Sequence, residues 1–174
     1  RKLSETETML STKIGKELVL KQALSVARTH FDVVIIDCPP NLGNLTINAL
    51  TAAEQVLIPC DMSILSLDGV SSIVETVATV QEMLNPSLQL LGLVRTRLDR
   101  RNQTINNTIE ETLRSNYQDY LLDSVIGVST AIAKAQHAGK SVFHHAPKNQ
   151  GSQAYKALAK EIDQLLFGSA LATV

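Results

Sequence analysis

Four short apolar runs punctuate this chain: 31–37 (FDVVIID), 55–59 (QVLIP), 88–94 (LQLLGLV) and 120–126 (YLLDSVI). Val33, Val34, Ile35 and Ile36 show no polar alternation. Such runs suit strands buried on both faces, as in a parallel sheet flanked by helices. Pro59 is expected to end the second strand, because proline cannot donate to a ladder.

Longer stretches with helical spacing separate these runs. The segment 13–29 carries Ile14, Leu18, Leu20, Leu24 and Ala27. Helices are also expected at 42–53, 104–116, 130–138 and 151–167. The clearest period lies at 69–84, where Val70, Ile73, Val74, Val77, Val80 and Leu84 share one face. Residues 1–12 are polar and read as a loop or a frayed helix. Residues 60–68, 95–103 (RTRLDRRNQ) and 143–150 read as loops. Strands alternating with helices predict a three-layer α/β domain, with a mainly parallel sheet and helices on both faces. A single domain over 1–174 is expected, with a flexible tail at 168–174.

Hydrophobic residues make up 44% and charged residues 19%, an ordinary globular balance that argues against disorder. The net charge of −1 points by itself to neither nucleic acid nor membrane. Aromatics are 3%, with no Trp, which disfavours a stacking platform for single strands. Cys38 and Cys60 stand outside any CxxC pattern and read as small buried thiols. No leader-like or membrane-spanning run is visible, so a cytoplasmic protein is expected. The chain starts at Arg1 without Met and enters polar, helix-like sequence directly. A fragment, or the ordered part of a longer protein, is therefore expected.

Asp37 falls where the first strand should end. Ligands of open α/β sheets gather beyond that edge. A carboxylate there either holds Mg²⁺ near a nucleotide phosphate or caps the following turn. Arg95, Arg97, Arg100 and Arg101 cluster within seven residues. They either meet phosphates or pair with Asp99 and nearby glutamates in a solvated loop. His144-His145, without a further ligand nearby in sequence, read as surface residues.

The run Asp37-Cys38-Pro39-Pro40-Asn41-Leu42-Gly43, then Asn48-Ala49-Leu50, Ala52-Ala53 and Val56 to Pro59, resembles the ParA/Soj family of partition ATPases. That family shows D-C-P-P-S-L-G, L-x-x-N-A-L-x-A-A-D and a V-x-I-P strand in this order. Weaker matches continue through Leu91–Asp99, Ala135, Gly139-Lys140, and Pro147, Lys148, Gly151, Ala154 and Tyr155. The resemblance covers about residues 13–167. MinD and the nitrogenase iron protein are relatives. Cys38 and Cys60 do not match the cluster-binding loops of the latter, and the C-terminus lacks MinD's basic membrane helix.

The resemblance implies a P-loop NTPase-like fold whose N-terminal strand and P-loop are missing here. It implies Asp37 as the Walker B-type residue, acting on the Mg²⁺ shell or the attacking water. Pro39 and Pro40 would couple it to the following helix. Thr96 and Arg97, with Pro147 and Lys148, would lie against the nucleotide. It further implies an ATP-switched homodimer that binds DNA non-specifically, here through Arg97, Arg100 and Arg101. A centromere-binding ParB-type partner would stimulate hydrolysis, and no membrane would be involved.

Two departures stand beside it. No G-K-G-G-x-G-K-[ST] loop occurs in the 174 residues. A phosphate cradle needs such clustered glycines and a lysine. The chain alone is therefore expected to bind ATP poorly and to be inactive. At 126–136 the family's I-P-R-N-x-x-L-x-E-A-P is IGVSTAIAKAQ, with Gly127 for Pro and Val128 and Ala131 for Arg. The alternative is a non-enzymatic P-loop-less relative serving as a binding or regulatory module. An amidotransferring or biotin-pathway ligase on the same fold fits the DCPPNLG run less well.

Overall fold

The structure, a computed structural model, describes residues 2–168; the tail expected at 168–174 lies outside them from residue 169 onward. Helix α1 (Lys2–Ser11) is followed by a 3-10 turn at Lys16–Leu18, by α2 (Val19–Ala23) and by a second turn at Ala27–Thr29. The single helix expected over 13–29 is thus broken, with Gly15 at φ 66° standing before the first turn.

No strand forms at 31–37. Val33 is 48% exposed and Ile35 is 89% exposed. β-branched residues favour a strand only where a neighbouring strand supplies a ladder and a face to cover them. Among the described residues, no backbone turn or ladder hydrogen bond involves 32–40. The hydrophobic pattern is that of a central strand, and among the described residues no strand pairs with it.

Helix α3 (Asn44–Ala52) then leads into β1 (Gln55–Asp61), α4 (Ile64–Met83) and β2 (Gln89–Leu98). Strand β1 continues through the exposed Pro59. Proline is tolerated there because β1 is an edge of the described sheet, whose order is β1-β2-β3. Helix α4 begins five residues earlier than expected. The Ser66 hydroxyl, inside its first turn, donates to the carbonyls of Asp61 and Ser63. Strand β2 runs four residues past its expected end and takes Arg95, Thr96 and Arg97 out of the loop.

Helix α5 (Gln103–Tyr117), strand β3 (Leu121–Gly127), α6 (Thr130–His137), the short α7 (Val142–His145) and α8 (Gln150–Phe167) complete the order. Strands β2 and β3 pair in parallel, with Leu93 opposite Leu121, Arg95 opposite Val125 and Leu98 opposite Gly127. The unequal spacings mark two bulges. Beside β1, Gln89 N–H donates to the Glu54 carbonyl (2.9 Å) and Met62 N–H to the Thr96 carbonyl (3.0 Å). Start thus lies by start and end by end, so β1 is parallel to β2 as well. Gly92 allows the close approach of β2 and β3: a Cβ there would sit 2.9 Å from the Tyr120 carbonyl oxygen.

The chain divides into two compact units, Arg1–Val56 with Ser71–Leu90, and Leu57–Val70 with Leu91–Val174. The first is cored by Leu50, Val77, Val80 and Leu88. There the Asn48 side chain accepts the Leu20 N–H (3.1 Å). Asn85, only 2% exposed, donates through Nδ2 to the carbonyls of Leu50 (3.0 Å) and Ala53 (2.7 Å). The second unit is cored by Val94, Leu122, Ile126 and Leu158. Ile105 of α5 and Tyr155 and Leu165 of α8 are exposed.

Replacing Asn85 by Ala strands the buried Leu50 carbonyl and the partly buried Ala53 carbonyl, which costs about 1–3 kcal/mol. Urea unfolding is expected to show a lower midpoint in Asn85→Ala; an unchanged midpoint would contradict the role of these two hydrogen bonds.

Candidate functional site

The carboxyl ends of the three strands stand at one edge of the sheet, at Asp61, Leu98 and Gly127. Most of the candidate residues gather around it. The Thr96 hydroxyl donates to the Cys60 carbonyl (3.2 Å), the strand-end role that a hydroxyl takes without any ligand. Val128 N–H donates to the Leu98 carbonyl (3.0 Å), tying the loop after β3 to the end of β2. Ser129 Oγ and Asn149 Oδ1 are 3.1 Å apart, and Asn149 Oδ1 also accepts the Gly151 N–H and caps α8. The exposed Pro147 and Lys148 thereby sit in a loop anchored, through Asn149, at the same edge.

Arg95 is not a loop residue. Its side chain is only 7% exposed and its Nη1 lies 2.6 Å from Glu110 Oε1. Nη2 donates to the Leu122 carbonyl, and at 3.4 Å to that of Asp123. Its Nε has no hydrogen-bond partner. Glu110 also meets Arg114 at 2.6 Å, so one carboxylate serves two guanidinium groups.

Arg97 occupies the bulge between Arg95 and Leu98 with φ 54°, the one non-glycine residue in left-handed backbone among the described residues. That conformation costs an ordinary residue about 1–2 kcal/mol. Its side chain is 78% exposed and lies 3.6 Å from Asp61. Arg101, 86% exposed, forms a fork with Asp99: Nε to Oδ1 at 2.9 Å and Nη2 to Oδ2 at 2.6 Å. The Asp99 carboxylate also accepts the Arg101 N–H (3.1 Å). The side-chain hydrogen bond from Arg101 leads in lowering the Asp99 carboxyl to about 2. Arg100 lines a groove of about 340 Å³ with Met62, Leu98, Gln103, Asn106 and Glu110.

Asp37 lies exposed in the loop 31–41, in the first unit, followed by a half-buried Pro39 and an exposed Pro40. Cys38 is exposed, against the expectation of a buried thiol, while Cys60 is buried; both are free. Desolvation pushes both thiols above the ordinary value, with Asp37 adding to the effect at Cys38 and Asp61 at Cys60. Protonated thiols are poor nucleophiles at neutral pH. Among the described residues no three His, Cys, Asp or Glu side chains gather as metal ligands. An exposed carboxylate on an unpaired loop, in a chain without clustered glycines, does not by itself fit a nucleoside triphosphate with Mg²⁺.

A family model described as an AAA domain matches residues 1–90. This chain belongs to that family, within the ParA/MinD superfamily. The sporulation initiation inhibitor protein Soj of Bacillus subtilis is 38% identical over 160 residues, covering 92% of this chain and 63% of Soj. The chromosome partitioning protein ParA of Caulobacter vibrioides is 35% identical over 162 residues, covering 92% and 60%. Among solved structures, cobyrinic acid a,c-diamide synthase from Mycobacterium smegmatis superposes with a TM-score of 0.76 at 34% identity, covering 95% of this chain and 61% of that one. The same protein has been solved with bound ADP and magnesium, and gives a TM-score of 0.74. The chain thus spans about three-fifths of the length of the curated relatives it matches. No helix among the described residues is long and apolar enough to cross a membrane.

Several partners of the candidate residues and of the strands that carry them have no motif. Asp61 follows the second apolar run and could be placed by strand order. Glu110 and Glu161 have no signal beyond helical spacing. Glu161, on α8, accepts the backbone N–H groups of Asp123 (2.6 Å) and Ser124 (2.9 Å) at the amino half of β3. Burial pushes its carboxyl up, and the hydrogen bonds from Ser124 and Asp123, with the Arg95 charge, outweigh that and hold it below the ordinary value.

A lowered carboxyl contributes stability above its unfolded pKa and loses it as pH falls through the folded one. Glu161→Gln is therefore expected to be less stable than the wild type at pH 7 and to lose less stability on acidification. Thermal melting from pH 7 to pH 3 measures both, and parallel curves would contradict the assignment.

Proposed function

We propose that the protein is a ParA-type partition ATPase of the cytoplasm, and that this chain supplies one side of its nucleotide site and its carboxyl-edge surface as parts of one α/β domain. The observation that carries the reading is the ordered match of Asp37-Cys38-Pro39-Pro40-Asn41-Leu42-Gly43 and Asn48-Ala49-Leu50, together with 35–38% identity to Soj and ParA over 92% of the chain. Asp37 acts as the Walker B-type carboxylate toward Mg²⁺ or the attacking water. Pro39 and Pro40 stiffen the link to α3. Thr96, Arg97, Pro147 and Lys148 border the nucleotide at the carboxyl edge, and the phosphate-binding loop is supplied by sequence outside these 174 residues. ATP with Mg²⁺ switches a homodimer that contacts DNA through Arg97, Arg100 and Arg101, and a ParB-type centromere-binding protein stimulates hydrolysis.

A second reading has its own support. The synthase of Mycobacterium smegmatis, whose name denotes an amide-forming enzyme, is 34% identical over 95% of this chain. The two readings share the nucleotide and differ in what hydrolysis drives. Stimulation of ATP turnover by DNA and a ParB-type partner favours partition. Turnover that requires an amide donor and a carboxylate acceptor favours the ligase. A P-loop-less binding module would show neither.

In the full-length gene product, Asp37→Ala is expected to abolish ATP turnover, measured as phosphate release with DNA present. Wild-type turnover in that variant would remove Asp37 from the site. Absence of turnover in the unmodified protein would overturn the ATPase reading.

A further inference from the structure

Gly43 stands before α3 with φ −80° and ψ −172°, an extended conformation open to any residue. A neighbour, and not the backbone, accounts for the missing side chain. A Cβ at Gly43 would collide with Oε1 of Glu7 and sit 3.3 Å from Glu7 Cδ. The Glu7 side chain thus reaches from α1 to the amino end of α3 and fills the space that Gly43 leaves open. Glu7 is half-buried there, whereas Thr6 and Thr8 beside it are exposed. Leu10, on the same face of α1, is buried and helps seat α1 against α3. Among the described residues no lysine or arginine forms an ion pair with Glu7. The amino end of α3 meets its charge instead. The first turn of α3 holds no acidic residue, and Gly43 offers no side-chain cap. The free N–H groups of a helix start carry partial positive charge, so a carboxylate beside them is favoured.

The same end of α3 holds the turn that carries Asp37. The Thr46 hydroxyl donates to the Asn41 carbonyl (2.5 Å), and the Gly43 carbonyl accepts the Ile47 N–H (3.1 Å). Residues 32–40 make no backbone turn or ladder hydrogen bond among the described residues, so this stretch is fastened from its Gly43 end. From the Glu7 contact we propose that Glu7 is a positioning residue of the candidate site: its carboxylate, seated beside Gly43, locks the Asp37–Gly43 turn onto α3. The proposal rests on the partition reading only for what the turn does there. Residues 1–12, which read in sequence as a loop or a frayed helix, belong to the site through α1. A side chain at position 43 and loss of the charge at position 7 break the same contact, so their effects are expected not to add.

The first arm of the test uses the 174-residue chain and the rate at which a maleimide labels Cys38, the exposed thiol next to Asp37. The buried Cys60 reports any general loosening. Glu7→Gln is expected to raise the Cys38 rate about two- to fivefold through freer opening of the turn, with the Cys60 rate unchanged. Gly43→Ala displaces the carboxylate while keeping its charge, and is expected to do the same. The double variant is expected to match either single one. Glu5→Gln, at an exposed position of α1, is expected to change nothing. Thermal melting establishes that each variant folds; should Gly43→Ala fail to, Glu7→Gln against Glu5→Gln decides alone. The second arm measures ATP turnover in the full-length gene product. Glu7→Gln is expected to lower kcat about three- to tenfold and to leave KM for ATP within about twofold, since on the partition reading ATP is held chiefly by the phosphate loop.

An unchanged Cys38 rate in Glu7→Gln, an equal acceleration in Glu5→Gln, or multiplying effects in the double variant would each overturn the proposal. Faster labelling together with wild-type kcat would overturn the role of Glu7 in the site. Absence of turnover in the unmodified protein would overturn the ATPase reading, while the Cys38 rates still decide whether Glu7 holds the turn.

Discussion

The Arg95 side chain brings a positive charge to the interior between β2, β3 and α5, and the surrounding groups are arranged to meet it. Glu110 reaches it from α5, and the carbonyls of Leu122 and Asp123 reach it from β3. Glu161 of α8 feels the same charge while it accepts two N–H groups of β3. A buried ion of this kind is tolerated only when its hydrogen-bonding capacity is nearly filled, and one donor, Nε, stays unfilled. Replacing such a pair with apolar residues is often neutral, but deleting one partner is not. Arg95 thus ties α5 and β3 to β2 through Glu110 and the carbonyls of Leu122 and Asp123.

The bulge between Arg95 and Leu98 follows directly. With Arg95 turned inward and Leu98 opposite Gly127, Arg97 takes up the extra length in left-handed backbone and projects into solvent. The strand end so formed sets Thr96 against Cys60, and it starts the turn in which Asp99 grips Arg101. The chemistry of the carboxyl edge is thus an outcome of strand packing. The edge is basic by composition, and internal carboxylates moderate its charge.

Much of the chain from α4 onward was legible in the sequence. The runs at 88–94 and 120–126 became parallel strands because each finds a partner inside the chain, and the apolar face at 69–84 is the buried face of α4. The run at 31–37 misled for an identifiable reason. Hydrophobic periodicity reports that a segment can be buried in a sheet, but the neighbour that would bury it is a separate requirement, and Val33 and Ile35 are exposed without it. The cluster at 95–101 misled differently. Sequence shows charge but not direction, so Arg95 looked like its neighbours until strand alternation turned it inward. Asp37-Cys38-Pro39-Pro40 was legible as a family signature, whereas its geometry, an exposed loop in the first unit, was not.

On the proposed function, Asp37 serves a nucleotide site whose phosphate-holding loop does not occur in these 174 residues. Equilibrium dialysis of the 174-residue chain against labelled ATP with magnesium tests it most directly. The account predicts no saturable binding at micromolar nucleotide. Saturable, magnesium-dependent binding that Asp37→Ala abolishes would contradict it, because the site would then be complete within these residues.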